Sequence, residues 1–174
     1  MSCSQTLAGL ARDCSPSMGG IKRVLLANRT DVASITISSN KVTAITMESS
    51  KKFYEYNFKP GTSSMASNYQ VNVENGVAYV QTDLQMIFNR MQTTARVEVM
   101  AMAAADLYAI VEDNNGLYWM LGMDEPLILS AGDGLTGTAR TDRNGYSVTL
   151  QDNSKELPIE ILTGTGGVDI DSLL

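Results

Sequence analysis

The chain has 174 residues, enough for one domain with its own core, since a domain of this size buries roughly 70% of its unfolded surface. Hydrophobic residues make up 44% and charged residues 18%, which sets it apart from disordered chains, and the net charge of −6 speaks against tight binding to DNA phosphates. There is no histidine, so Ser-His-Asp, Cys-His and His-metal chemistry are excluded within one chain. No stretch approaches the ~18 consecutive apolar residues of a membrane span, and the first twenty residues lack the basic start and apolar run of a secretory signal. A chain made in the cytosol is therefore expected. Cys3 and Cys14 stand eleven apart and match no closed zinc pattern, so they are expected to be unused thiols.

In chain order, residues 1–20 are small, polar and without a sustained period, and are expected to form an arm leading into the domain. From residue 21 the pattern becomes short β-type runs: IKRVLLAN (21–28), VASITIS (32–38), KVTAITM (41–47) and KFYEYNF (52–58). Ser38-Ser39-Asn40 marks a tight hairpin turn between the second and third. In the fourth, Phe53, Glu55 and Asn57 alternate with Tyr54, Tyr56 and Phe58, which predicts a half-buried strand with an aromatic face. The serine-rich GTSSMASN (61–68) is expected to be a loop.

NYQVNVEN (68–75), a type I′ turn at Asn75-Gly76 and VAYVQTDLQMIFNRM (77–91) predict a long hairpin. Alternation puts Gln81, Asp83 and Gln85 on one face of its second strand, with Leu84 and Met86 on the other. The helix candidate is 93–106, with threonines at its start, Ala95, Val99, Met102, Ala103 and Asp106 at helical spacing, and Arg96 and Glu98 on the wet side. A strand continued through 96–102 competes, and the alanine run at 101–105 favours the helix. Further strands are expected at 107–113, 117–122, 127–130, 146–152 and 157–162, with a glycine-rich stretch at 131–145 and a second arm at 163–174.

The motifs that invite chemistry do not complete it. Gly132, Gly134 and Gly137 resemble a phosphate-cradling loop, but no Lys-Ser pair and no helix follow. Asp142-Arg143-Asn144-Gly145 lacks the alternate ligands and closing Glu of a calcium loop and predicts a β-turn. Ten methionines, among them Met100, Met102, Met120 and Met123, fit core filling better than an adaptable binding surface. Asp83, Glu98, Asp124 and Glu125 form no catalytic pair and are expected to be solvated. No catalytic, cofactor or metal site is expected, and the chain is read as non-enzymatic.

The order of CSPSMGGIKRVLLAN, SITISSNKVTAITM, KFYEYNFKPGTSS and DRNGYSVTLQDNSKELPIEI resembles the tail-tube proteins of tailed bacteriophages, in particular those of Bacteroidota phages and prophages. The resemblance covers most of the chain; the stretch 131–145 has no counterpart in it. It implies a mainly β fold with one α-helix, a tail-tube-like β-sandwich or β-barrel of 21–162 with a long hairpin and extended terminal arms. It also implies a virion structural subunit that self-assembles into stacked hexameric rings, with other virion tail proteins as partners, no membrane, and DNA as transient cargo. On that basis Gln81, Asp83 and Gln85 are candidate lumen-facing residues, and Thr62, Ser63, Ser64 and Met65 candidate inter-ring contacts, with the arms 1–20 and 163–174 beside them. The alternative within the virion is a head–tail connector, tail terminator or decoration protein. Outside it, a carbohydrate- or peptide-binding module would gather Tyr54, Tyr56, Tyr118 and Trp119 into one concave patch.

Overall fold

A computed structural model describes residues 9–174 of the chain. Cys3 and the first part of the expected N-terminal arm lie outside the described residues. The fold is mainly β with one helix. In chain order the strands are β1 (Ile21–Asn28), β2 (Val32–Ser38), β3 (Lys41–Met47), β4 (Tyr54–Asn57), β5 (Ser64–Asn72) and β6 (Val77–Asn89). The helix α1 (Thr93–Ala103) follows, then β7 (Leu107–Asp113), β8 (Tyr118–Leu121), β9 (Ile128–Leu135), β10 (Gly145–Ser154) and β11 (Ile159–Ile161). They form a seven-stranded sheet, ordered β2-β3-β11-β8-β7-β1-β4, and a four-stranded sheet, ordered β5-β6-β10-β9.

The seven-stranded sheet is buried on both faces at its centre. That explains why β1 and β7 read as apolar runs instead of alternating: a strand covered on both sides needs hydrophobic residues at every position. Val24, Leu26, Ala109, Val111 and Leu121 face the four-stranded sheet and pack there against Leu84, Met86, Val148 and Leu150. Leu25, Ala27, Ile110 and Met120 point the other way into a second core with Val42, Phe53 and Ile161.

This second core corrects the expectation of an arm at 163–174. Val168, Ile170 and Leu173 are buried in it, the Phe53 N–H donates to the Leu173 carbonyl at 2.8 Å, and Thr163 bridges to Val168. The physical reason is the exposed apolar face that β1 and β7 would otherwise leave; the tail supplies a cover at the cost of ordering a few residues. Phe53, read as the polar side of the fourth strand, is buried for the same reason, while Tyr56 and Phe58 pack on Phe88 in the first core.

Of the two expected tight turns, the one at 38–40 is found and the one at Asn75-Gly76 differs. The left-handed pair of a type I′ turn is found at Ser39 and Asn40, with φ of 53° and 61°, between paired Ser38 and Lys41. The Asn75-Gly76 connection is longer: β5 and β6 are joined by residues 73–76, only Gly76 has positive φ, and the Asn72 side chain accepts from the Asn75 N–H. The expected loop at 61–68 is a turn followed by the start of β5. Its serines and asparagines hid a strand whose inward positions are Met65 and Ser67, and Ser67 meets Thr82 through a hydroxyl pair at 2.9 Å.

The glycine-rich stretch begins as a strand too. β9 runs through Gly132 and Gly134 opposite Val148 and Tyr146, and a Cβ on Gly134 would stand 3.0 Å from the Tyr146 ring, so glycine lets the ring lie across the strand. The helix ends at Ala103, three residues before the expected end. Met102 is buried and Val99 packs beside it in the first core, but Ala103 and Asp106 are exposed, as are Val97 and Met100.

Candidate assembly surface

The four-stranded sheet turns one face to the core and the other to solvent. Along β6 the inner face carries Val80, Thr82, Leu84 and Met86, all buried, and the outer face carries Gln81, Asp83 and Gln85. Register extends that outer face across three strands: Gln81, Asp83 and Gln85 stand opposite Asn68, Ala66 and Ser64 on β5 and opposite Asn153, Gln151 and Thr149 on β10. Gln81 donates to Asp83, with Nε2 to Oδ2 at 3.3 Å. Amides and hydroxyls therefore cover the middle of the sheet, and its charges are Asp83 and, on β9, Asp133, the latter paired with Arg143 at 2.8 Å.

Neither edge of this sheet has a further strand among the described residues. β5 offers nine residues on one side and β9 eight on the other, each with a row of backbone groups available for pairing. The hairpin also outruns its neighbours. β10 ends at Ser154 opposite Val80, so residues 70–79 project as a two-stranded ribbon. Tyr69 at its base and Val71 and Val73 on it are 59%, 63% and 87% exposed, and Val77 and Tyr79 are exposed on its other face. An isolated ribbon of this kind is marginal in water, and one so apolar calls for a partner.

Of the candidate inter-ring residues, Ser63 is buried and its hydroxyl accepts from the Ile87 N–H, so it belongs to the fold and not to a free surface. Thr62 is held by its turn, donating to the Lys59 carbonyl at 2.6 Å. Met65 packs into the first core, and Ser64 is exposed on the outer face. The four aromatics of a binding patch are not brought together. Tyr118 and Trp119 lie on opposite faces of β8, packing into different cores, and Tyr56 is half-buried under α1, where its hydroxyl donates to Glu98 at 2.8 Å. Burial, and then that bond, raise the Tyr56 pKa.

Two carboxylates were missed as special because each sits in an otherwise ordinary strand. Glu112 on β7 is 2% exposed and receives Lys22 Nζ at 2.6 Å and the Arg23 Nε. Burial alone would push its pKa up; the hydrogen bonds from Lys22, Arg23 and Tyr118 outweigh this and hold it below the usual range. Asp152 on β10 is 3% exposed; its Oδ2 accepts from the Gly122 N–H at 2.9 Å and its Oδ1 has no partner among the described residues. Burial raises its pKa against the Gly122 bond, helped by Asp124 and Glu125. Parity contained the signal, since Asp152 continues the inward series Val148, Leu150.

Among the described residues no group of three or more His, Cys, Asp or Glu side chains is placed to hold a metal, and no helix is long and apolar enough to cross a membrane. Cys14 is exposed and unpaired with another described cysteine. Comparisons with family models, with curated proteins and with solved structures find no match to the chain.

Proposed function

We propose that this chain is a structural subunit that assembles with copies of itself into rings, hexameric and stacked as in a phage tail tube, forming a conduit through which DNA passes without being bound. The observation that carries it is the four-stranded sheet with an amide- and hydroxyl-covered outer face and both edges open. Its strands alternate in direction, so β9 of one copy laid against β5 of the next continues the antiparallel pattern, and the two edges differ in length by one residue. A ring closed in this way leaves neither edge of the four-stranded sheet exposed.

The outer face then lines the lumen, with Gln81, Asp83 and Gln85 at its centre. A wall with little charge, and that charge acidic, releases no counterions from DNA and lets it slide. The subunit catalyses nothing and takes no cofactor in this reading; its partners are its own copies and other virion tail proteins, and its place is the virion tail after synthesis in the host cytoplasm. Sedimentation velocity over a range of protein concentrations tests it. Rings that grow into longer polymers are expected, a species that stops at one ring would favour a connector or terminator, and persistent monomers at high concentration would overturn the proposal.

A further inference from the structure

The sequence holds three Asn-Gly pairs: Asn75-Gly76, Asn115-Gly116 and Asn144-Gly145. Such a pair carries a latent reaction. The side-chain amide carbon is an electrophile within reach of the next backbone nitrogen, and glycine has no Cβ to hinder the ring that joins them. Whether a given pair reacts depends on orientation: the side chain must be free to swing to the nitrogen, the N–H must not be tightly held, and the space around the glycine must be open.

Two of the pairs are locked. Asn115 grips Met18 with both ends of its amide: Oδ1 accepts from the Met18 N–H at 2.8 Å, and Nδ2 donates to the Met18 carbonyl at 3.1 Å. The Gly116 N–H donates to the Asp113 carbonyl at 3.1 Å. Asn144 Oδ1 accepts from the Met91 N–H at 3.1 Å. Gly145 is a buried residue of β10 between Asn89 and Leu135, with the Phe88 carbonyl in the space a Cβ would take. Asn75 differs on each count. It is exposed, and its side chain enters no hydrogen bond among the described residues; only its backbone N–H is engaged, by Asn72. The Gly76 N–H reaches the Val73 carbonyl at 3.4 Å, beyond the usual range for such a bond. A Cβ on Gly76 would meet nothing within 4 Å.

We infer that Asn75 is a self-modifying site, where the folded chain converts a side-chain amide to a carboxylate with water as the only co-reactant. The Gly76 backbone nitrogen gives up its proton and attacks Asn75 Cγ. The new N–Cγ bond closes a five-membered imide, the Cγ–Nδ2 bond breaks, and Nδ2 takes up a proton and leaves as ammonia. Water then adds to one of the two imide carbonyls. Cleavage at Cγ leaves an ordinary aspartate, whereas cleavage at the backbone carbonyl carbon leaves an isoaspartate, with the chain routed through Cγ. Nothing is oxidised or reduced. Either product sets a carboxylate beside Glu74, on the ribbon that bears exposed Val71 and Val73. Isoaspartate also lengthens by one atom the 73–76 connection between β5 and β6, and the length of a hairpin connection fixes the register of its strands. The reaction takes place within one chain and does not rest on the assembly proposed above.

The test is incubation of the full chain at mildly alkaline pH, which favours loss of the Gly76 amide proton. Peptide mass spectrometry follows, with fragmentation that tells isoaspartate from aspartate. The mass gain of an amide-to-acid exchange is expected at Asn75 about tenfold or more faster than at Asn115 or Asn144. In concentrated urea, where all three pairs are released, the rates should converge. Asn75→Gln, a change on an exposed side chain, should keep the melting temperature and remove most of the ammonia released by the folded chain. An Asn75 that stays an amide, or three pairs that react alike in the folded chain, would overturn the inference. The same preference for Asn75 in urea would overturn it too, since the selectivity would then come from local sequence and not from the fold.

Discussion

Arg23 and Glu112 face each other across β1 and β7, with the Arg23 Nε donating to a carboxylate that is almost wholly removed from water. Arg23 also reaches Glu55 at 3.0 Å on β4, the Tyr118 hydroxyl at 3.3 Å on β8 and Asp171 at 3.6 Å in the C-terminal segment. One guanidinium thus ties three strands and the tail to the strand that carries it. Removing one member of a buried pair strands the other, which costs about 3–5 kcal/mol.

Glu112→Gln is expected to fall at the low end of that range, about 3 kcal/mol, because Arg23 keeps its other partners. The pH dependence follows from the depressed Glu112 pKa. Its contribution is fully present above the ordinary value of 4.5 and is lost as the pH falls through the lower folded value. Urea unfolding between pH 7 and pH 3 should show the gap between the unaltered chain and Glu112→Gln narrowing below about 4.5.

Asp152 has the opposite sign. Its folded pKa is raised, so the native state favours the protonated acid, and a penalty grows as the pH rises from the ordinary 3.8 through the folded value. Asp152→Asn should therefore raise the melting temperature at pH 7 and change it little near pH 3. An equal effect at both would mean that the charge of Asp152 is not what destabilises the free subunit.

The tail is part of the core. Leu173→Ala removes a buried side chain from beneath β1 and β7 and is expected to cost about 2–3 kcal/mol, read by chemical denaturation. A variant as stable as the original would restore the view of 163–174 as a free arm.

On the projecting ribbon, Val71→Lys with Val73→Lys should leave the melting temperature of the isolated subunit nearly unchanged, since both side chains are exposed in it. The same pair should abolish higher oligomers in sedimentation. Loss of stability in the monomer would place these valines in a core instead.

Strand existence was legible where burial follows a simple rule. β1, β2, β3 and β7 begin and end where their apolar and β-branched runs do. Legibility failed where a polar residue is satisfied by a neighbour distant in sequence. Ser63, Ser67 and Asn68 read as a loop because their partners, Ile87, Thr82 and Gln81, come between 13 and 24 residues later. The tail failed for a related reason: Val168, Ile170 and Leu173 look sparse among glycines and aspartates until the uncovered face of β1 and β7 is seen. The face of Gln81, Asp83 and Gln85 followed from alternation alone, whereas the open edges of β5 and β9 needed the sheet order.

Electron microscopy of the purified full-length protein at high concentration tests the central claim most directly. Rings of six subunits stacked into hollow tubes, with the β5-β6-β10-β9 sheet forming the inner wall and Gln81, Asp83 and Gln85 toward the channel, are predicted. Particles that remain single subunits, or rings whose channel is lined by the seven-stranded sheet, would contradict it.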